Sequence, residues 1–199
     1  MSSHSYKGKT LDNRSVEVIV KGKTIASVLE IPNTPELPWL LPPLVDLQHN
    51  GSLGISYCLL DSADDLRTIG KHLLSHGVCR VLPTFPTYEY EEVCRGGSKF
   101  RKFVESDPAL AKLFFGIFHE GVFISPDDGW RGAHGKEHVQ PPNWELFKQF
   151  DDATGGLTRV INIAPEEPGG LKFIDKAIAA GKQIALGHCN PDTATIREA

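Results

Sequence analysis

The sequence predicts an α/β fold of the (β/α)8 TIM-barrel type, incomplete at about five βα units and preceded by a small N-terminal β unit. Three observations carry this expectation. From Leu44 onward, short apolar runs alternate with stretches of helical periodicity, the pattern of βα units and a parallel sheet. Five such units fit in the remaining chain at the repeat length of a barrel whose usual size is roughly 250 residues. Before them, Ile31 to Pro43 carries five prolines, which forbid a helix and suit an extended linker. An open, doubly wound sheet is the other arrangement this pattern allows.

The expected organisation is therefore a β unit and Pro-rich linker over 1–40, and a partial (β/α) barrel over 41–199. In the first part, Val16, Val18 and Val20 alternate, Lys21-Gly22-Lys23 makes a turn, and Ile25 and Val28 follow, which reads as a hairpin over 15–30. His4 falls in a tail read as disordered. In the second part, the strands are Leu44–Leu47, Val78–Leu82, Leu113–Phe118, Leu157–Ile163 and Ile184–Gly187. The helices between them are Ala63–Ser75, Tyr90–Glu105, Trp144–Phe150 and Leu171–Ala180, the last with Leu171, Ile174 and Ile178 as its core stripe. A final helix begins after Asn190, with Pro191 at its first position, where a fixed φ is pre-set for the role.

Composition narrows the function classes. At 199 residues, 40% hydrophobic and 23% charged, the chain is ordinary for a globular protein. A net charge of −4 gives no electrostatic footprint for nucleic acid or an anionic membrane, so neither is an expected partner. No apolar run approaches the roughly 20 residues that span a bilayer, and Met1-Ser2-Ser3-His4-Ser5 is unlike a signal peptide, so the expected compartment is cytoplasmic. Cys58, Cys79, Cys94 and Cys189 form no CxxC pair, which fits reduced thiols.

The chemistry should sit where strands give way to loops. Two junctions stand out, Phe118-His119-Glu120-Gly121 and Gly187-His188-Cys189-Asn190. Adjacent strand residues point to opposite faces, so only one of His119 and Glu120, and one of His188 and Cys189, can face the barrel axis. Glu120 and His188 are the metal-ligand candidates, because carboxylate plus imidazole is a common catalytic set for Zn²⁺. Gln48 and Asn50 leave the first strand at spacing i, i+2 and share a face; as amides they are poor ligands but good hydrogen-bonding groups for a substrate. The long Gly- and Pro-rich loop from Ile124 to Gly135 is of a length that is more often functional than idle. Ala133, through its backbone, and His134 are its substrate-contact candidates.

These blocks also carry a resemblance. Val45-Asp46-Leu47-Gln48-His49-Asn50-Gly51, Gly77 to Thr84, Glu120 to Pro126, Arg131-Gly132-Ala133-His134, Ile163-Ala164-Pro165-Glu166 and Gly187-His188-Cys189-Asn190 resemble, in order and approximate spacing, the N-acetylglucosamine-6-phosphate deacetylases of the amidohydrolase superfamily. The resemblance covers about residue 40 to the C-terminus. It implies a metal-dependent hydrolase that removes acetate from N-acetylglucosamine 6-phosphate, an amino-sugar phosphate of carbohydrate catabolism. Glu120 and His188 match the family's first two metal ligands, and Ala133 and His134 its substrate-contacting pair. Gln48-x-Asn50, where many amidohydrolases have His-x-His, resembles the subgroup that works with one divalent metal, with Zn²⁺ expected and Fe²⁺ or Mn²⁺ as alternatives. The family usually has His-Leu-Glu-Gly-Pro where this chain has Phe118-His119-Glu120-Gly121-Val122. The third metal ligand and the Asp acting as general acid/base are expected beyond Ala199, so no catalytic acid/base is assigned within the chain. An inactive or binding-only fragment, an amidohydrolase for another N-acyl amino sugar, and a homo-oligomer are the alternatives carried forward.

Overall fold

Five parallel strands taken in chain order form the sheet that positions the site. They are β4 (Leu44–His49), β5 (Val78–Phe85), β6 (Ile117–His119), β7 (Thr158–Ile163) and β8 (Gln183–Leu186), each strand pairing with the next. The computed structural model describes residues 2–199. Its sheet and helices over Leu44–Ala199 form one compact unit, a curled part of a (β/α) barrel, and the residues up to Pro43 form another. With five strands the sheet has β4 and β8 as its edges, and Leu44, Val45, Leu47 and Leu186 on those strands are exposed.

The smaller unit is a three-stranded antiparallel sheet: β1 (Ser3–Lys9), β2 (Ser15–Lys21) and β3 (Thr24–Glu30). The hairpin over 15–30 is its β2–β3 half. His4, expected in a disordered tail, pairs with Val20 in β1. β1 is polar and exposed over most of its length, so no alternation marks it as a strand; its backbone bonding to β2 makes it one.

Helices follow from caps and apolar stripes. α1 (Ala63–Ser75) starts at a capping box, in which the Ser62 hydroxyl accepts from Asp64 and the Asp65 carboxylate accepts from the Ser62 N–H. α2 (Tyr90–Ser106) buries Val93, Phe100 and Val104, and α4 (Trp144–Ala153) buries Phe147 and Phe150 behind an Asn143 cap. The expected third strand, Leu113–Phe118, is a correction. Asp107 caps the amide of Ala109 and Pro108 takes the first turn, so α3 (Pro108–Leu113) consumes the start of that apolar run and leaves only β6 as strand. In α5 (Gly170–Ala179) the buried face is Phe173, Ile174 and Ala177, while Ile178, expected in the stripe, is exposed. The stripe is out of phase by one residue because Phe173 and Ala177, at i and i+4, take the sheet-facing side. Likewise α6 (Thr193–Glu198) begins after Asp192, whose carboxylate accepts from Thr195, so Pro191 lies before the cap and not inside the helix.

The core fills the space between the sheet and these helices. Tyr57, Phe85, Phe100, Phe114 and Phe150 are fully or almost fully buried and meet largely edge to face. Lys182 ties the layers together, with its ammonium 2.8 Å from the Asp151 carboxylate and 3.0 Å from the Thr158 carbonyl. One core member is out of place chemically. His119 is 0% exposed among Tyr90, Phe123, Phe147 and Phe150, and neither ring nitrogen has a hydrogen-bond partner among the described residues. Burial pushes its pKa down to about 4.

A buried polar group without a partner costs about 1–3 kcal/mol. His119→Leu should therefore raise the unfolding free energy by about that amount, measured by urea denaturation. The gain should be larger at pH 5 than at pH 7, because only the unfolded chain takes up the imidazole proton as pH falls through its ordinary value, which lowers the stability of the His form. A His119→Leu chain that is less stable than its parent would mean the ring is satisfied after all.

Candidate metal centre

Both sequence junctions lie at the C-terminal edge of the parallel sheet. Glu120 follows β6 directly and turns away from its neighbour: His119 enters the helix layer, whereas the Glu120 carboxylate, only 7% exposed, faces a hollow at the strand ends. Gln48, near the end of β4, donates to Glu120 Oε1 at 2.6 Å. His188, two residues beyond β8, brings its Nε2 to 3.6 Å from the same oxygen. The Nε2 of His134, from the long loop after β6, lies 3.3 Å from His188 Nε2. The ligating atoms of Glu120, His134 and His188 all lie within 4.8 Å of one another.

Local backbone makes this convergence possible. His188 has φ of 51°, a left-handed conformation that costs a non-glycine residue roughly 1–2 kcal/mol and that clusters at functional sites. Its carbonyl accepts from the Ser125 N–H at 2.8 Å, which fixes the turn. Gly121 passes so close to Thr87 that any side chain would overlap the Thr87 hydroxyl and amide. The loop carrying His134 is pinned by Arg131, which donates to the His134 carbonyl and pairs with Asp128.

The two imidazoles are held in different tautomers by what their far nitrogens touch. His188 Nδ1 lies 3.2 Å from the Trp130 carbonyl, which can only accept, so Nδ1 carries the proton and Nε2 offers a lone pair to the hollow. The Thr87 N–H donates to His134 Nδ1 at 3.3 Å, so the neutral His134 ring carries its proton on Nε2 and presents a donor. Burial first, then the neighbouring His188 and Arg131, push the His134 pKa down to about 4.

The donor set fits a divalent cation. Bonds of about 2.0–2.2 Å in a tetrahedral arrangement give ligand-to-ligand edges of about 3.3–3.6 Å, and the Glu120–His188 separation is 3.6 Å. The Trp130 carbonyl on His188 and the Gln48 amide on Glu120 are the outer contacts that orient metal ligands in such sites.

Of the six candidates named from sequence, Asn50, Glu120, Ala133, His134 and His188 line one hollow of about 390 Å³, and Gln48 reaches it through Glu120. That volume lies within the range of small-molecule sites. His49 is turned elsewhere, with its Nδ1 2.7 Å from the Tyr57 hydroxyl. Sequence reasoning missed Thr87 and Tyr88 in the lining, and it missed Asn162. The Asn162 amide nitrogen donates to the Glu120 carbonyl at 3.0 Å and to the Gly187 carbonyl at 3.1 Å, which links the two ligand-bearing junctions. The available signal was a lone amide inside the apolar run Val160-Ile161-Asn162-Ile163.

No family model matches the chain. The N-acetylglucosamine-6-phosphate deacetylase of Bacillus subtilis is 30% identical over 166 residues, covering 80% of this chain and 40% of that protein. The same enzyme of Bos taurus is 30% identical over 164 residues, covering 80% and 39%. The chain is thus similar in sequence to N-acetylglucosamine-6-phosphate deacetylases. It spans about two fifths of the length of these curated relatives. An N-acetylgalactosamine-6-phosphate deacetylase from Shewanella is 26% identical over 164 residues, with 80% and 39% covered. Among solved structures, a mutant N-acetyl-D-glucosamine-6-phosphate deacetylase from Mycobacterium smegmatis, in complex with N-acetyl-D-glucosamine-6-phosphate, superposes with a TM-score of 0.82 at 22% identity. All of this chain and 53% of that one are covered. The Thermotoga maritima deacetylase gives 0.77 at 20% identity, covering 99% and 51%. These deacetylase structures share the fold of the partial barrel described above.

Asn162→Ala would remove both donors at once and leave the two carbonyls free to drift. Zn²⁺ affinity should fall about 10–100-fold, measured by competition with a chromophoric chelator, because outer contacts of metal sites carry that much. Unchanged affinity in a folded Asn162→Ala chain would show that the two junctions hold their separation without it.

Proposed function

We propose that the hollow is the metal and acyl-binding part of an amide hydrolase that releases acetate from N-acetylglucosamine 6-phosphate. The observation that carries this reading is the convergence of Glu120, His188 and His134 on one hollow, in a chain whose curated relatives are deacetylases of that sugar phosphate. One divalent cation, Zn²⁺ by the mixed oxygen and nitrogen donors, would be held by Glu120 and His188. When bound, such an ion polarises a carbonyl and lowers the pKa of a coordinated water.

The chain's own residues do the rest. Gln48 anchors the Glu120 carboxylate so that one face stays toward the hollow. His134, its proton held on Nε2 by the Thr87 N–H, donates to the amide oxygen of the substrate as negative charge builds there, the role of an oxyanion donor. Asn50 and the Ala133 backbone supply hydrogen bonds to the sugar. Among the described residues, Glu120 is the one carboxylate lining the hollow, and its Oε1 already accepts from Gln48. No further acidic group there is free to carry a proton to the departing amine.

Two outcomes are expected. Metal-free protein should take up one equivalent of Zn²⁺ in a calorimetric titration. Glu120→Gln or His188→Ala should weaken it by about 100-fold or more, and His134→Ala by less than about tenfold. A His134→Ala loss equal to that of His188→Ala would make His134 a ligand and end its role as donor. In a coupled acetate assay the 199-residue chain should bind the sugar phosphate without turnover, and measurable acetate release would overturn this account of the proton path. Running the galactosamine epimer beside it tests the sugar, since one relative is named for that epimer.

A further inference from the structure

The hollow holds one aromatic ring apart from its histidines, and the chemistry above does not use it. Tyr88, in the link between β5 and α2, lines the same space as Glu120, His134, His188 and Asn50 and is 53% exposed. An aromatic ring left this open at a site is usually held by something, and here it is. The ring lies nearly parallel to that of His138, with an interplanar angle of 13° and centroids 5.8 Å apart, so a second ring sets its orientation. Its neighbour Thr87 is tied to His134 through the amide, which fixes where the ring starts relative to the acyl-binding end.

We propose that Tyr88 is the sugar-stacking wall of the hollow, a specificity residue that packs against the C–H face of a pyranose while the N-acyl group is held at Glu120, His134 and His188. This rests on the amino-sugar reading above. A pyranose has hydroxyls round its edge and C–H groups on its faces, so a site that reads it needs polar groups at one end and a flat apolar surface alongside. The polar end is the Glu120, His134, His188 and Asn50 group, and the surface is Tyr88 extended by Pro86. An aromatic face oriented by a second ring presents that surface at low entropy cost, because two torsions define it.

The test is ligand-observed saturation-transfer NMR on the Zn²⁺-loaded chain, irradiating protein aromatic protons, with N-acetylglucosamine 6-phosphate as ligand and N-acetylethanolamine as a ring-free amide. The pyranose C–H protons should receive the strongest transfer. Tyr88→Ala should abolish that transfer and weaken the sugar phosphate about threefold to tenfold, Tyr88→Phe should retain both, and N-acetylethanolamine should bind all three chains alike. Zn²⁺ affinity and thermal transition should not move, which separates stacking from a fold effect. Equal sugar binding by the parent and Tyr88→Ala chains would overturn the stacking role while leaving the amino-sugar reading intact. A parent chain that binds Zn²⁺ but neither sugar phosphate nor amide would overturn both.

Discussion

Everything at the candidate centre depends on three neighbouring strands ending at the same edge of the sheet. β6, β7 and β8 run parallel, with a register shift between Ile117 and Phe118, and the residues that follow β6 and β8 emerge on the same rim with β7 between them. Asn162 sits on that middle strand and spends both amide protons on carbonyls of the flanking junctions, one at Glu120 and one at Gly187. A hydrogen-bonding side chain buried in an apolar strand is tolerable only when satisfied. Here satisfaction and positioning are the same two bonds.

The same alternation that delivers Glu120 to the hollow sends His119 into the helices, and the two consequences cannot be separated. A strand has no way to offer one residue without committing its neighbour to the other face. The aromatic box of Tyr90, Phe123, Phe147 and Phe150 would suit an aliphatic residue, yet an imidazole occupies it. That places a polar group at a core position next in sequence to Glu120, the candidate metal ligand. Local stability is given up next to the site, whereas Lys182 and Asp151 hold the opposite ends of the layers together by a well-shielded ion pair.

How much of this was legible in the sequence depends on whether the signal was local. The βα alternation and the junctions at Glu120 and His188 are written in short windows, and the structure has each of those elements near where its pattern falls. The misreadings share a cause. β1 is defined by pairing to β2 and has almost no buried face, so no period betrays it. The run from Leu113 to Phe118 is apolar throughout and cannot by itself tell a helix end from a strand; Asp107 and Pro108, upstream of the run, decide it. The phase of α5 is set by which side meets the sheet, and that is a tertiary fact. In the hollow, the residues named from sequence were polar side chains at strand ends and, in the loop after β6, His134 and the Ala133 backbone, which the length of that loop and the resemblance marked. Thr87 acts through its backbone amide and Trp130 through its carbonyl, and a main-chain group leaves no mark in an amino-acid string.

That last point governs the chemistry as well as its detection. His134 and His188 are the same side chain, 3.3 Å apart at their facing nitrogens. Their difference comes wholly from the groups behind them. A carbonyl behind His188 keeps its proton away from the hollow, leaving a lone pair; an N–H behind His134 takes up its rear lone pair, leaving a proton in front. Exchanging the two partners would exchange the two roles with no change of sequence at either histidine. The division between the lone pair proposed to hold a cation and the N–H proposed to donate to an oxygen is thus set by two main-chain groups, in the loop after β5 and in the loop after β6. Both loops are tied to these imidazoles, so their geometry has to be built before either ring can act.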